Sequence, residues 1–458
     1  MQLTPPKSPR PIVPRIVLAL ALAALCRLPA AAQVPGPEEL TIDAAMRAST
    51  VQKIGEMLKA SYVFPETAAK CADHLQAQLS AGAYDNFGVA VPFADALTRD
   101  LQSISHDKHL RVNVRPPESA SMSTASEPTP HQRREMFSRM KAEMRKGNFG
   151  FQKLEVLDGN VGYLDLRGFA SAEIAGEAAV NAMAFLSSAD AVIIDLRNNG
   201  GGSPDMIQLI STYFFDEPTL LNTMYWREGD RTDQFWTLPH VPGQRMPDTP
   251  LFILTSNRTF SGAEEFAYNM KNLKRGTLIG EVTGGGAHPG GRQPVNDVFG
   301  IFIPVGRAIN PISKTNWEGT GVEPDVVLPA EKALALAHSK AIESLIAKAT
   351  DPEEKSRLEW AKSGVEAKMN PIALTATDLA RYAGTYGERK VWVEDGSLKY
   401  QRKGMPARTL VPMSKNLFAV EGVPFFRAQF EINDAGKAVR LIGLYDDGRS
   451  EPMERSGD

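Results

Sequence analysis

Ser261 stands where a weak nucleophile can be activated by its surroundings. It lies within Asn257-Arg-Thr-Phe-Ser-Gly-Ala-Glu-Glu-Phe-Ala267, between an apolar run, Leu251-Phe-Ile-Leu254, and a segment of helical character from Glu264 to Asn272. A strand enters, the backbone turns, and a helix leaves with the serine at its start. Helix N-termini present unpaired N–H groups and a positive dipole end, so a hydroxyl there sits beside ready stabilisation for an oxyanion. Serine chemistry through a covalent intermediate needs that arrangement. Ser261-x-x-Glu264 is also a capping box, which any strand-to-helix join can use. This stretch alone supports both readings.

Two glycine runs accompany it. Arg197-Asn-Asn-Gly-Gly-Gly-Ser203 follows the apolar run Ala191-Val-Ile-Ile-Asp-Leu196, and Thr283-Gly-Gly-Gly-Ala-His-Pro-Gly-Gly291 follows Thr277-Leu-Ile-Gly-Glu-Val282. Consecutive glycines at a strand end let backbone N–H groups approach a ligand, so Asn199, Gly200, Gly285 and His288 are candidate lining of a substrate cleft. A phosphate loop is excluded, because no G-x-x-x-x-G-K-[ST] is present and no lysine follows the glycines. A flexible turn is the plain alternative. Two more histidines, His106 and His109, stand where a helical pattern gives way to alternation; a histidine at such a junction is ordinarily a polar surface residue. None of the seven histidines falls in a metal-ligand pattern, and neither a metal nor a cofactor is expected.

The elements that position these residues can be followed along the chain. Lys7, Arg10 and Arg15 precede Ile16-Val-Leu-Ala-Leu-Ala-Leu-Ala-Ala-Leu25, and Ala30-Ala-Ala32 offers a cleavage site before Gln33, so residues 1–32 read as a signal peptide. The apolar run is short for a span, and no later stretch looks like a membrane helix, which predicts an exported mature chain without a transmembrane segment. Cys26 leaves with the leader and Cys71 remains alone within a core-like helical pattern, so no internal disulfide is available. A net charge of -3 and a pI near 6.2 give no reason to expect a nucleic-acid partner.

Residues 33–115 read as a helical domain, with apolar residues at helical spacing (Val51, Ile54, Leu58; Phe93, Leu97, Leu101), ending in the strand-like Leu110-Arg-Val-Asn-Val114. Residues 116–150 combine a Ser/Pro/Thr/Glu-rich linker with a charged helix. Residues 151–350 alternate strands and helices in βαβ fashion, which is an α/β core. Within it, Ala191–Leu196 is a continuous apolar run of the kind buried on both faces of a sheet. Strands around 220–226 and 235–238 read as an antiparallel addition. Residues 370–458 change to short alternating runs punctuated by Asp395-Gly396 and Asp447-Gly448, predicting a small all-β domain, barrel or sandwich.

Taken together, four ordered stretches resemble the C-terminal processing (tail-specific) serine protease family: Asp195-Leu-Arg-Asn-Asn-Gly-Gly-Gly202, Thr259-Phe-Ser-Gly-Ala-Glu-Glu-Phe-Ala267, Gly280-Glu-Val-Thr-Gly-Gly-Gly286 and Gly321-Val-Glu-Pro-Asp325. The resemblance implies a crotonase-like (ClpP-like) core of ββα units. The best-known branch uses a Ser–Lys dyad, yet Gly286 occupies the matching position here and no lysine lies between Arg275 and Lys314. The chain looks more like the tricorn-core and interphotoreceptor retinoid-binding branch, which also matches Asp107-Lys-His109-Leu-Arg-Val. That resemblance implies His109 as base and Glu318 as its support, with Ser105 or Thr320 as the hydroxyl that links Glu318 to the site. It further implies an oxyanion hole from the N–H groups of Gly201 and Gly262.

Between Val114 and Val161 there is no room for the PDZ module of tail-specific members, so selection of a free C-terminus does not carry over. The expected function is a serine peptidase acting on a peptide or protein substrate. The alternative, from the retinoid-binding relatives, is a non-catalytic binding protein for apolar ligands on the same fold. His288 is the rival to His109, since its loop replaces the one that carries the dyad lysine. The sequence leaves the oligomeric state open.

Overall fold

The computed structural model describes residues 40–115 and 129–456. The leader, its cleavage site and linker residues 116–128 fall outside the described residues.

A six-stranded sheet organises the molecule. Its strands are β2 (Phe151–Leu157), β3 (Val161–Leu166), β4 (Ala191–Asp195), β7 (Leu251–Thr255), β8 (Thr277–Gly280) and β12 (Val326–Val327), in the spatial order β12-β8-β7-β4-β3-β2. All neighbours run parallel except β2, which pairs antiparallel with β3. Every residue of β3, β4 and β7 is buried, as continuous apolar runs in a doubly covered sheet must be. Alternate side chains serve opposite faces. Leu164, Val192, Ile194 and Ile253 pack with helices Ala172–Leu186, Pro204–Thr212 and Gly262–Asn272. Tyr163, Ile193, Phe252 and Leu254 pack under helix Ala330–Lys348.

The N-terminal helices Ala44–Ser61, Pro65–Ser80 and Ala90–Ser105 share a second core with a three-stranded sheet, β1-β10-β9. Here β1 (Arg111–Val114) pairs with β10 (Phe299–Pro304), which pairs with β9 (Gly290–Pro294). This sheet stitches the segment that carries His109 to the segment that follows His288. The antiparallel addition consists of β5 (Leu220–Trp226), β6 (Arg231–Trp236) and β11 (Gly306–Ile309), ordered β11-β5-β6. Its second strand begins four residues earlier than the alternation around 235–238 indicates, because Gly229 and Asp230 take positive φ and turn the chain at once.

Residues 384–454 form an eight-stranded antiparallel meander in sequence order. The Tyr386–Arg455 bridge and the Ser456 N–H donating to Thr385 O join its two ends, closing it into a barrel around Phe418, Phe430 and Leu441. Closure removes both sheet edges. No helix among the described residues is long and apolar enough to cross a membrane.

Candidate active site

The chain leaves β7 at Thr255, turns through 256–260, and enters helix Gly262–Asn272 with Ser261 at φ 54° and ψ -122°. A positive φ on a non-glycine residue is held only where its surroundings over-determine it. They do so here. Thr259 Oγ1 donates to Leu196 O at 2.8 Å, Ser256 Oγ to Arg197 O at 2.6 Å, and the Phe260 N–H to Asn199 O at 3.0 Å, so the serine turn is sewn to the end of β4. From below, the Glu264 carboxylate accepts from the Ser261 N–H (2.8 Å), Thr283 Oγ1 (2.5 Å), the Gly285 N–H (2.6 Å) and the Gly286 N–H (2.8 Å). Glu264 is fully buried, which raises its pKa, while the same hydrogen bonds pull it back down. The capping contact is therefore real, and it doubles as the tie between the serine turn and the second glycine run.

The first glycine run folds against the serine. Gly201 and Gly202 have φ of 102° and 145°. A Cβ on Gly201 would lie 2.6 Å from Gly262 N and 2.8 Å from Ser261 Cβ, and one on Gly202 would lie 2.0 Å from Phe169 O. Only glycine fits at either place. One expected role shifts by a residue. The Gly201 N–H donates to Asn199 Oδ1 at 2.8 Å, so it is not free to meet an oxyanion. The Gly202 nitrogen lies 3.0 Å from where a Gly262 Cβ would be, and the Gly202 and Gly262 N–H groups meet no acceptor among the described residues. Those two are the available donors beside Ser261.

On the facing wall, Asp107 is fully buried and organises the approach to β1. Its Oδ1 accepts the His109 N–H at 3.0 Å, and its Oδ2 receives Tyr62 Oη at 3.1 Å and faces His288 Nδ1 at 2.7 Å. The His109 ring lies between Phe260 and Phe302, with centroid separations of 4.6 and 5.4 Å. Its Nδ1 is buried and unpartnered among the described residues. Burial lowers the His109 pKa to about 4, so the ring is neutral at neutral pH. Glu318 Oε2 accepts the Ala287 N–H at 2.5 Å and lies 3.4 Å from His288 Nδ1, while its Oε1 is buried without a partner among the described residues. Burial, with Asp107 adding to it, lifts Glu318 to about 6.

Ser261, His109, Gly200, Gly202 and Gly262 open onto one cleft of about 1110 Å³. No hydrogen bond joins the Ser261 hydroxyl to His109 among the described residues. Asn199, Gly285 and His288 are not cleft residues, contrary to the sequence expectation; they lie behind its wall. Asn199 is fully buried and donates to Leu166 O, and the Gly285 N–H is taken by Glu264. His288 is only 6% exposed, held by Asp107 and set edge-on to Phe64. The glycines around it do not loosen it, because its imidazole closes a hydrogen bond with a buried carboxylate. Neither candidate linking hydroxyl reaches Glu318: Ser105 Oγ accepts the Asp107 N–H, and Thr320 Oγ1 is directed to Trp317 O and Gly321 O. His106, at the junction between the helical pattern and the alternation, is the left-handed C-cap of helix Ala90–Ser105.

Sequence reasoning missed Asp107 and Glu264 as organisers. Glu264 was legible only as a cap, and the partner of Asp107 lies 181 residues away. Asp107, His109 and Glu318 bring one ligand-type atom each within 4.8 Å of one another. Both Asp107 oxygens are already engaged by protein groups, which leaves only two donors for a cation.

An α/β core presenting a serine on a strained strand-to-helix turn, beside free backbone donors and a neutral imidazole, defines an acyl-transfer type of site. The pattern of Peptidase family S41 matches residues 160–328, and that of the N-terminal domain of Peptidase_S41 in eukaryotic IRBP matches residues 40–147; together they cover more than half of the chain. The chain belongs to peptidase family S41. It is 29% identical over 183 residues to a carboxyl-terminal-processing protease of Picosynechococcus sp., covering 40% of this chain and 42% of that one. It is 31% identical over 140 residues to a protein of the same description from Synechocystis sp., covering 31% of each. The chain thus spans less than half the length of these curated relatives. Among solved structures, it is similar to the photosystem II D1 C-terminal processing protease, with a TM-score of 0.40 and 17% identity over 62% of this chain and 93% of that one. The tricorn protease also aligns, with a TM-score of 0.40 and 12% identity over 66% of this chain and 37% of that one.

Proposed function

We propose that this chain is an exported serine peptidase with a crotonase-like core, in which Ser261 is the nucleophile, His109 the general base and Glu318 the group that supports the base. The observation that carries this reading is Ser261 itself, strained at φ 54° on a helix N-terminus with the Gly202 and Gly262 N–H groups beside it. A positive φ on serine at a turn this tightly bonded has a use when the hydroxyl must stand clear of its own helix.

The chemistry follows from the chain's own groups. Ser261 Oγ adds to the carbonyl carbon of the scissile peptide while the neutral His109 ring takes its proton. The carbonyl oxygen becomes an oxyanion held by Gly202 and Gly262, and each such donor contributes about 2.7–4 kcal/mol to the transition state. The tetrahedral intermediate collapses with expulsion of the amine, which leaves with the proton from His109. Water then repeats the sequence on the acyl-enzyme, returning the serine and releasing the acid. Glu318 has an unpartnered, buried Oε1 close to the base, so it supports the imidazolium that forms in each half-reaction. Export rests on the leader sequence. Covalent labelling by a fluorophosphonate probe tests the reading: labelling is expected in the parent chain and absent in Ser261→Ala, and a parent chain that takes no label while folded would remove the nucleophile from the scheme.

A further inference from the structure

Glu265 takes no part in the scheme above, yet it lines the same cleft. It lies one helical turn beyond Ser261, its N–H donating to Ser261 O at 3.0 Å, so its side chain leaves the helix on the side the serine occupies. It is only 4% exposed. A carboxylate buried to that degree ordinarily has a cation or several donors. Glu264, its neighbour, has four donors; Glu265 has no salt bridge among the described residues, and only burial and Asn222 act on its carboxyl. Burial lifts it to about 7.

The surroundings of Glu265 are polar and under-satisfied in the same way. Asn269 follows one turn later on the helix and is fully buried with both side-chain polar atoms unpartnered among the described residues. Asn222, on β5, is fully buried, its Oδ1 accepts the Thr223 N–H at 2.9 Å, and its amide is the one donor that acts on the Glu265 carboxyl. The antiparallel register of β11 on β5 ends at Ile309 opposite Thr223, and the next residue, Asn310, has an Nδ2 that is buried and unpartnered among the described residues. Native interiors rarely leave several such atoms together, and each one calls for an explanation. Met224 and Trp226, on the same face of β5 as Asn222, line the cleft with Glu265 and give it apolar sides. The cleft's four basic residues are engaged or placed elsewhere: Lys108 donates to Gly284 O, Arg258 to Asn198 Oδ1, and Arg111 and Arg292 are in register with Phe302 of β10 on the His109 wall.

Resting on the peptidase reading, we infer that Glu265 is the floor of a specificity pocket that receives a lysine or arginine side chain adjacent to the scissile bond. Apolar walls suit the aliphatic stem of such a side chain, and the buried carboxylate with its asparagine neighbours suits the cationic head. The cation supplies the charged partner that the carboxylate lacks among the described residues. A neutral apolar side chain would leave that carboxylate buried and unpaired, so discrimination arises from the penalty as much as from the contact.

The experiment measures kcat/KM for the mature enzyme on fluorogenic peptides with lysine, arginine, norleucine or Nζ-acetyl-lysine at the two positions flanking the scissile bond. Fluorophosphonate labelling of Ser261 is followed in parallel. The expected result is a preference of roughly 10–100-fold for lysine over both norleucine and acetyl-lysine at one of the positions, as a charge-assisted hydrogen bond gives. In Glu265→Gln that preference collapses toward unity, with Ser261 still labelled. Cleavage that ignores substrate charge, or a lysine preference unchanged in Glu265→Gln, overturns the inference while leaving the peptidase reading intact. A folded parent chain that neither cleaves nor takes the label overturns both. If Glu265→Gln fails to fold, the lysine and acetyl-lysine comparison on the parent enzyme decides alone.

Discussion

On the Ser261 wall of the cleft, a single buried carboxylate, Glu264, gathers four donors from two segments of chain. On the facing wall, His109 Nδ1 and Glu318 Oε1 are buried with no partner among the described residues, although Asp107 beneath them is fully engaged. The contrast separates two tasks. A nucleophile on a strained turn needs a rigid mounting, because a displacement of an ångström costs orders of magnitude in rate. In the proposed scheme the base changes charge during the reaction and its support faces that charge, so atoms left without fixed partners are available to it. On that scheme, satisfied hydrogen bonding marks the positioning wall, and unsatisfied atoms mark the reacting one.

The largest effect tests that division at its centre. Ser261→Ala is expected to lower kcat by about 10⁴–10⁶-fold, in line with loss of a covalent nucleophile. Because Glu264 bonds the backbone N–H of residue 261 rather than depending on its hydroxyl, urea stability should change by less than about 1 kcal/mol. Full turnover in the variant would reduce Ser261 to a cap.

The two histidines sharpen the comparison next. His109→Ala is expected to lower kcat/KM by about 10⁴-fold with fluorophosphonate labelling slowed in parallel. His288→Ala removes a partner of Asp107 from behind the wall, so it should cost stability, about 1–3 kcal/mol, and leave Ser261 reactive. The pH profile gives an independent check. Burial lowers the His109 pKa to about 4, so the base stays unprotonated well below its ordinary value near 6.5. The acid limb of kcat/KM is therefore expected near pH 4. A limb at 6.5 or above would mean that the working ring is solvated or paired with a carboxylate, and a dead His288→Ala beside an active His109→Ala would move the base to the glycine loop.

Glu264→Ala attacks the positioning wall itself. It leaves three backbone N–H groups and the Thr283 hydroxyl without their acceptor, and an expected loss of about 3–5 kcal/mol should be visible as a lowered urea midpoint. A loss under about 1 kcal/mol would show that the serine turn is held by its links to β4 alone.

How much of this was open to the sequence follows from the range of each interaction. The run Ala191–Leu196 was readable as a doubly covered strand, and Leu251–Leu254 as a strand, because burial leaves an unbroken apolar pattern. Ser261 and the glycines were readable because a turn and a close approach restrict residue type locally. The Gly201 N–H, expected in the oxyanion hole, is taken by the side chain of Asn199, a local bond that composition does not announce. The Asp107–His288 contact bridges 181 residues, and nothing near either residue names the other. Glu265 was hidden for a different reason: in the sequence it is one more charge on a helix, and only the fold buries it and brings Asn222 of β5 to its carboxyl.

Glu318 yields the smallest effect and the finest test of the reacting wall. Its carboxyl is lifted from 4.5 to about 6 by burial and by Asp107, so the folded chain holds a proton on it that the unfolded chain releases at lower pH. Between those values the native state binds more protons, and stability falls as pH rises. The contribution is complete below pH 4.5, is lost through about pH 6, and amounts to about 2 kcal/mol. Glu318→Gln has no such titration and resembles the protonated carboxyl in shape. His109 titrates in an overlapping range with the opposite sign, so both proteins are compared in a His109→Ala background, which removes that titration. The stability of the parent minus that of Glu318→Gln should therefore decline by about 2 kcal/mol between pH 4.5 and pH 7 in urea titrations. A difference that stays flat would mean that the Glu318 carboxylate is as well solvated or paired as in the unfolded chain, and its unpartnered Oε1 would then mark no readiness to receive the proton side of the base.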